Sequence, residues 1–80
     1  MKREDIFLQI TKIIQKTTSN PSLHLNENTK FEDIENWDSL TTVDVEMEIE
    51  NIFSINFEIG EFKEMNDIKS LLNLLDTKLN

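Results

Sequence analysis

Cysteine is absent from this chain, glycine and histidine occur once each, and each shortage excludes a class of site. Without cysteine there is no disulfide framework, no protein thiol and no cysteine-ligated metal. A single histidine, His24, argues against an ordinary zinc site, and the acidic residues miss the alternate positions of a calcium-binding loop. With Gly60 as its only glycine, the chain cannot form a glycine-rich phosphate loop. No metal site is therefore predicted.

Basic residues are also scarce, because eight lysines and arginines face sixteen acidic residues and the formal net charge is −8. A nucleic-acid backbone would be repelled, whereas protein partners with basic patches would be attracted. No apolar run approaches the length of a membrane span, and the first residues show no apolar stretch of signal-peptide type. We therefore predict a cytoplasmic, monomeric protein that binds neither nucleic acid nor membranes.

The apolar residues recur at helical spacing, which predicts an all-α fold in one domain, residues 1–80. The expected architecture is a small four-helix bundle with three main helices, one short helix and a long first loop. In chain order the helices are predicted at residues 4–17, 39–53, 61–65 and 67–79, and the one at 61–65 is short.

The long first loop is predicted at residues 18–38, because Pro21 prevents the first helix from continuing. Loops of this length in small domains usually carry a function or pack on themselves. We expect Phe31 and Ile34 to anchor this loop on the bundle. At the far end of the chain, Asn66 is the predicted cap of the last helix.

The second predicted helix begins at Ser39, within the run NWDSL at residues 36–40. Asp38 or Ser39 can act as the N-cap, because a short side-chain oxygen accepts a hydrogen bond from a free N–H of the first turn. Those N–H groups carry partial positive charge, so a serine hydroxyl there is well placed to carry a phosphodiester. We predict covalent modification of Ser39; the alternative is a plain helix cap.

Two apolar stripes lie on this second helix, although a bundle helix needs only one. At 100° per residue, one stripe faces the core and the other lies roughly opposite, with acidic side chains beside it. The second stripe is predicted to dock partners, unless Val43 or Met47 contacts the long loop. The core stripe consists of Val45, Ile49, Ile52 and Phe53. The docking stripe consists of Leu40, Val43 and Met47, with Asp44 and Glu48 beside it.

The chain lacks the groups that would make Ser39 a catalytic nucleophile. The basic residues nearest upstream are Lys30 and His24, both in the loop, and no constellation of partner residues surrounds His24. No pair of carboxylates stands out as an acid–base couple in apolar surroundings. The sequence therefore predicts a binding module with one modifiable serine, and not an enzyme.

Residues 31–40, FEDIENWDSL, resemble the attachment region of acyl carrier proteins, whose hallmark is Asp-Ser-Leu at the start of the second helix. Chain length, helix layout, long first loop and acidity also agree, and the resemblance continues through Glu50, Phe53 and Ile55 to residues 65–68. It implies that Ser39 accepts 4′-phosphopantetheine from coenzyme A through a separate phosphopantetheinyl transferase. The thiol of that arm would carry acyl groups as thioesters in fatty-acid, polyketide or related biosynthesis.

The resemblance also implies where partners dock. The docking residues of the family fall on the docking stripe and its neighbouring acids, or immediately beside them. The resemblance also adds Asp38 to these residues. Besides the transferase, the implied partners are acyl- or aminoacyl-loading and acyl-processing enzymes with basic docking patches. On this basis the docking residues are Asp38, Leu40, Val43, Asp44, Met47 and Glu48.

Three positions depart from the commonest family pattern. Asn36 and Thr41 stand where many fatty-acid carriers have glycine and an acidic residue, so the partner set is expected to differ. Trp37 is associated with carriers of specialised pathways, and either plugs the loop or contacts a partner. Two alternatives to an acyl carrier remain: an aminoacyl or peptidyl carrier, and an unmodified helical interaction module in which Ser39 only caps a helix.

Overall fold

Three α-helices form the fold in the computed structural model, which describes residues 1–80 and contains no strand. Helix α1 spans Arg3–Thr17, α2 spans Ser39–Phe53 and α3 spans Ile68–Leu79, and α1 packs against both of the others. The all-α prediction is confirmed, and each main helix begins within one residue of its predicted start. None of the helices is long and apolar enough to cross a membrane.

A single cluster of buried apolar side chains joins the helices to the loops. The contributions of α1 and α3 recur at three- and four-residue intervals, so that each helix turns one face inward. The cluster consists of Ile6, Ile10, Ile13 and Ile14 from α1, Val45, Ile49 and Phe53 from α2, Ile68, Leu71, Leu72 and Leu75 from α3, and Phe31, Ile34 and Phe62 from the connecting segments.

The core face predicted for α2 was wrong at Ile52, whose side chain is 49% exposed. The buried residues of α2 recur every four positions, so the buried stripe turns by roughly 40° around the helix at each step. They are Thr41, Val45, Ile49 and Phe53. Among the helices, only α1 packs closely against α2. At the C-terminal end of α2 the buried stripe is centred on Phe53, which lies roughly 100° around the helix from Ile52, so the side chain of Ile52 stays in solvent.

The short helix predicted at residues 61–65 was also wrong, because residues 59–64 form consecutive turns. Gly60 has a φ of +81°, in the left-handed region that glycine tolerates and a helix cannot use. One α-helical hydrogen bond forms, from the Glu64 N–H to the Gly60 carbonyl at 3.1 Å. The Met65 N–H donates instead to the Phe62 carbonyl, only three residues earlier, so the α-helical pattern does not continue. The only other short helical element is a 3-10 turn at Phe31–Asp33, so the four-helix count is not confirmed.

The long loop is anchored as predicted, since Phe31 and Ile34 are both buried in the core. Backbone hydrogen bonds also join this loop to the start of α3. The Phe31 N–H donates to the Asn66 carbonyl, and the Ile68 N–H donates to the Thr29 carbonyl, both at 3.0 Å. The buried side chains and these backbone hydrogen bonds together hold the loop on the bundle, and they position the segment that leads into α2.

The N-cap of α3 is Asp67. The prediction that Asn66 caps this helix was therefore wrong. A carboxylate oxygen of Asp67 accepts the Ser70 N–H at 2.9 Å. The backbone carbonyl of Asn66 is instead engaged by Phe31 of the long loop. The loop contact therefore sets the position of the helix start one residue later than the sequence pattern indicated.

Candidate functional site

Ser39 is the first residue of α2, and Asp38 is the N-cap that precedes it. Asp38 Oδ1 accepts the Thr41 backbone N–H at 2.8 Å, and the Thr41 hydroxyl lies 2.9 Å from the same oxygen. Of the two cap candidates, the structure therefore selects Asp38. The Ser39 side chain is exposed and takes part in none of the side-chain hydrogen bonds of the first turn. Its hydroxyl is free to be approached from solvent.

Two residues outside the predicted site hold the turn that presents Ser39. Asn36 has a φ of +69°, a left-handed backbone that asparagine tolerates better than most residues with a side chain. Thr41 is buried, and its hydroxyl lies 2.9 Å from Asp38 Oδ1 and 3.2 Å from the Asn36 carbonyl oxygen, so its single proton can be donated to either acceptor. Asn36 thus adopts a backbone conformation that glycine also tolerates. Thr41 makes an internal contact in place of an acidic side chain.

The sequence alone shows Asn36 and Thr41 only as departures from the acyl-carrier pattern. A threonine three residues after an aspartate cap is a recognisable signal, since both its N–H and its hydroxyl can reach the cap oxygen. The left-handed backbone at Asn36 has no such local signal, because asparagine also occurs at ordinary backbone angles.

The negative charge of the Asp38 carboxylate is favoured by its position at the start of α2. The backbone hydrogen bond from Thr41, followed by the hydrogen bond from its hydroxyl, lowers the pKa of Asp38 below its usual value. Asp38 is therefore ionised at neutral pH, where its negative charge opposes the positive end of the α2 dipole. The same arrangement recurs at α3, where hydrogen bonds from Ser70 lower the pKa of Asp67.

These two caps predict an acid-dependent loss of stability. Because Asp38 and Asp67 have folded-state pKa values below the ordinary 3.8, the unfolded chain takes up protons first as the pH falls. The stabilisation from these groups is present above pH 3.8 and is lost as the pH falls through the folded-state values. Urea titrations from neutral pH to about pH 3 should show this loss, and the Asp38→Asn/Asp67→Asn variant should show a shallower one. An equal loss in both proteins would contradict the assignment.

The docking stripe faces solvent along α2. Leu40 is 74% exposed, Val43 49% and Met47 60%, so neither Val43 nor Met47 is covered by the long loop. Asp38 and Asp44 are also exposed, while Glu48 is partly buried. Residues spaced by three and four positions lie on one side of a helix, and the structure therefore brings the predicted docking residues together on one surface.

The structure has an open cleft that borders the docking stripe and another near Trp37. The first, of about 350 Å³, lies between the C-terminal end of α1 and the docking stripe. The second, of about 610 Å³, lies between the long loop and the segment before α3, next to Trp37. The first cleft is lined by Lys16, Thr17, Asp44, Met47, Glu48 and Asn51.

Trp37 forms part of the wall of the second cleft and also packs on the loop. Its ring stacks on Phe31, with 5.0 Å between ring centroids and 22° between ring planes. The side chain is partly buried against the core, and its remaining surface lines the cleft together with Met65. The indole therefore holds the chain in place just ahead of Ser39 while part of it stays open to solvent.

The groups near Ser39 do not form a catalytic or metal-binding arrangement. No hydrogen bond joins Ser39 to a basic side chain, and His24 is exposed in the long loop. No group of three or more potential metal-ligating side chains converges anywhere in the structure. What the geometry offers is an accessible hydroxyl at a helix start, beside an apolar stripe bordered by acids.

No family model matches the chain. Over 79 residues the chain is 23% identical to the acyl carrier protein of Coprothermobacter proteolyticus, and the match covers 99% of this chain and 96% of that protein. The similarity thus extends nearly from end to end of both chains.

Proposed function

We propose that this chain is an acyl carrier protein that holds its cargo as a thioester on a 4′-phosphopantetheine arm attached to Ser39. The observation that carries the proposal is the free, exposed hydroxyl of Ser39 at the first residue of α2, directly after an ionised aspartate cap. The end-to-end similarity to an acyl carrier protein supports the same class.

The chemistry that the arm supplies is the one that this chain lacks. The sequence has no cysteine, and the thiol of 4′-phosphopantetheine would provide the sulfur that forms the thioester. The phosphodiester on Ser39 would lie beside the free N–H groups of the first turn of α2, where the helix dipole favours negative charge. The chain provides no base for the hydroxyl, so the transferase that attaches the arm has to remove that proton.

The partners consistent with this surface are a phosphopantetheinyl transferase and acyl-processing enzymes that present basic residues around an apolar patch. Leu40, Val43 and Met47 would enter that patch, and Asp38, Asp44 and Glu48 would pair with the basic residues. An aminoacyl or peptidyl carrier shares the serine and would differ in cargo. The acids beside the docking stripe favour the acyl carrier over it.

The test of the proposal is the mass of the protein after incubation with coenzyme A and a broad-specificity phosphopantetheinyl transferase. We expect a gain of one phosphopantetheine group, which fragment mass spectrometry should locate on the peptide that contains Ser39. A known carrier protein treated in parallel shows that the transferase is active. An unchanged mass with this transferase and with a second one of another type would favour an unmodified interaction module, and a gain at another serine would refute the assignment.

Met47→Glu is expected to lower kcat/KM for this modification by at least about tenfold. The substitution replaces an exposed apolar side chain of the docking stripe by a charge that must be desolvated on binding. Loss of one buried methionine contact is worth about 1.5–3 kcal/mol, and about 1.4 kcal/mol corresponds to tenfold. The free energy of unfolding should stay within about 0.5 kcal/mol of the wild-type value.

The matched control is Leu8→Glu, which adds the same charge to the exposed side of α1. Leu8 is 52% exposed and stands two residues from both Ile6 and Ile10, so it points away from the core. Modification of Leu8→Glu should proceed at the wild-type rate. Equal rates for Met47→Glu and Leu8→Glu would remove Met47 from the docking surface.

A further inference from the structure

The cleft beside the docking stripe is lined by residues of both α1 and α2, although the proposed docking surface includes residues of α2 and none of α1. Met47 and Asp44 belong to the exposed side of α2, whereas Lys16 and Thr17 form the C-terminal end of α1. Met47 lines the cleft and also belongs to the docking stripe, so the two surfaces are continuous. A partner that covers the stripe would therefore also reach the end of α1.

The wall of this cleft carries a cation of the chain itself, the side-chain ammonium of Lys16. The Lys16 ammonium lies 3.5 Å from Glu48 Oε2, a long distance for an ion pair. The Lys16 side chain is 74% exposed, whereas that of Glu48 is only 33% exposed. Glu48 is thus the less exposed member of the pair, and Lys16 approaches it from the solvent side at a long distance.

Loose ion pairs of this kind exchange partners readily. A pair between solvent-exposed side chains adds little to stability, because ordering two long side chains and screening by salt offset much of the attraction. A cation that a docked partner presents to Glu48 would be shielded from water by that partner, and its attraction to the carboxylate would be stronger. Asp44, in the same cleft, adds a second negative charge for an incoming cation.

We propose that the docking surface extends onto the end of α1, and that a basic side chain of the partner enters this cleft and displaces Lys16 from Glu48. The inference rests on the proposed carrier function and deepens it, because it names a residue of α1 that tunes partner affinity. Lys16 acts as an internal competitor, since it neutralises Glu48 in the free protein and must leave before the partner's cation can bind.

The experiment compares Lys16→Gln with Lys12→Gln in the modification reaction with coenzyme A and a phosphopantetheinyl transferase at low salt. Both changes remove one positive charge from α1, but Lys12 is exposed and lies outside the cleft. We expect Lys16→Gln to lower KM by about two- to fivefold with little change in kcat, and Lys12→Gln to change KM much less. The difference should shrink at high salt.

A double-mutant cycle identifies the carboxylate through which Lys16 acts. In a Glu48→Gln background, Lys16→Gln should no longer lower KM, because the anion for which the two cations compete has been removed. Equal effects of Lys16→Gln with and without Glu48, or equal effects of Lys16→Gln and Lys12→Gln, would overturn this inference and leave the carrier function standing. If the wild-type chain is not modified at all, the proposed function fails and the inference fails with it.

Discussion

Ser39→Ala is expected to abolish the phosphopantetheine mass gain completely while changing the free energy of unfolding by less than about 0.5 kcal/mol. The hydroxyl of Ser39 is the proposed attachment atom, and the other two hydroxyls of the first turn, those of Thr41 and Thr42, are engaged in hydrogen bonds. It makes no side-chain hydrogen bond and is exposed, and Asp38 already caps the helix. Alanine is moreover a better helix former than serine.

The stability measurement separates attachment from capping. If Ser39 were the cap, its replacement by alanine would cost about 1 kcal/mol of stability; the structure assigns that cost to Asp38→Ala instead. Intact mass and urea unfolding, measured on Ser39→Ala and Asp38→Ala, therefore test separately whether Ser39 is the attachment residue and whether Asp38 is the helix cap.

Ser70→Ala supplies the matched control for Ser39→Ala, because Ser70 lies in the first turn of α3 and is also exposed. Its removal should leave the mass gain intact. A normal gain in Ser39→Ala would eliminate Ser39 as the attachment residue, whatever the stability of the variant.

The three main helices could be predicted because the information that defines them is local. In α1, isoleucines three and four residues apart define the inward face, and the structure buries Ile6, Ile10, Ile13 and Ile14. Ser39 could be placed at the start of α2 because residues suited to an N-cap stand directly before apolar residues at helical spacing. The choice between Asp38 and Ser39 as the cap could not be made, since both side chains can accept the same N–H groups.

The wrong predictions concern residues whose state depends on distant parts of the chain. Ile52 is exposed because the buried stripe of α2 turns around the helix and has moved away from Ile52 at the C-terminal end, and the part of α2 that is covered depends on the packing of α1. Asn66 lost the cap role because its carbonyl is engaged by the long loop. The inward contact of the Thr41 hydroxyl, which helps to hold the backbone ahead of Ser39, was not predicted at all.

Phe62→Ala is the substitution expected to destabilise the fold most. The side chain is 2% exposed and packs with its ring centroid 5.7 Å from that of Phe31 and 5.5 Å from that of Phe57. Removing a buried phenyl group costs about 3–5 kcal/mol. A domain of this size has a total stability of roughly 4–12 kcal/mol, so the variant would lose a large part of it.

The control for Phe62→Ala comes from the same run of turns. Ile59 is fully exposed, and Ile59→Ala should leave the free energy of unfolding within about 0.5 kcal/mol of the wild-type value. Urea titrations followed by circular dichroism measure both variants. A loss below about 1 kcal/mol for Phe62→Ala would show that the segment is not held by its phenyl group.

The same variant should also disturb the candidate site from a distance. Phe62 contacts Phe31, Phe31 stacks on Trp37, and Trp37 lies two residues before Ser39. In the fraction of Phe62→Ala that remains folded, the loop that presents the serine loses support beneath its aromatic pair, so modification should slow even after correction for unfolded protein. Ile59→Ala should be modified at the wild-type rate. The turn segment that replaces the expected short helix would then contribute to the site through packing, which no pattern around Ser39 could have indicated.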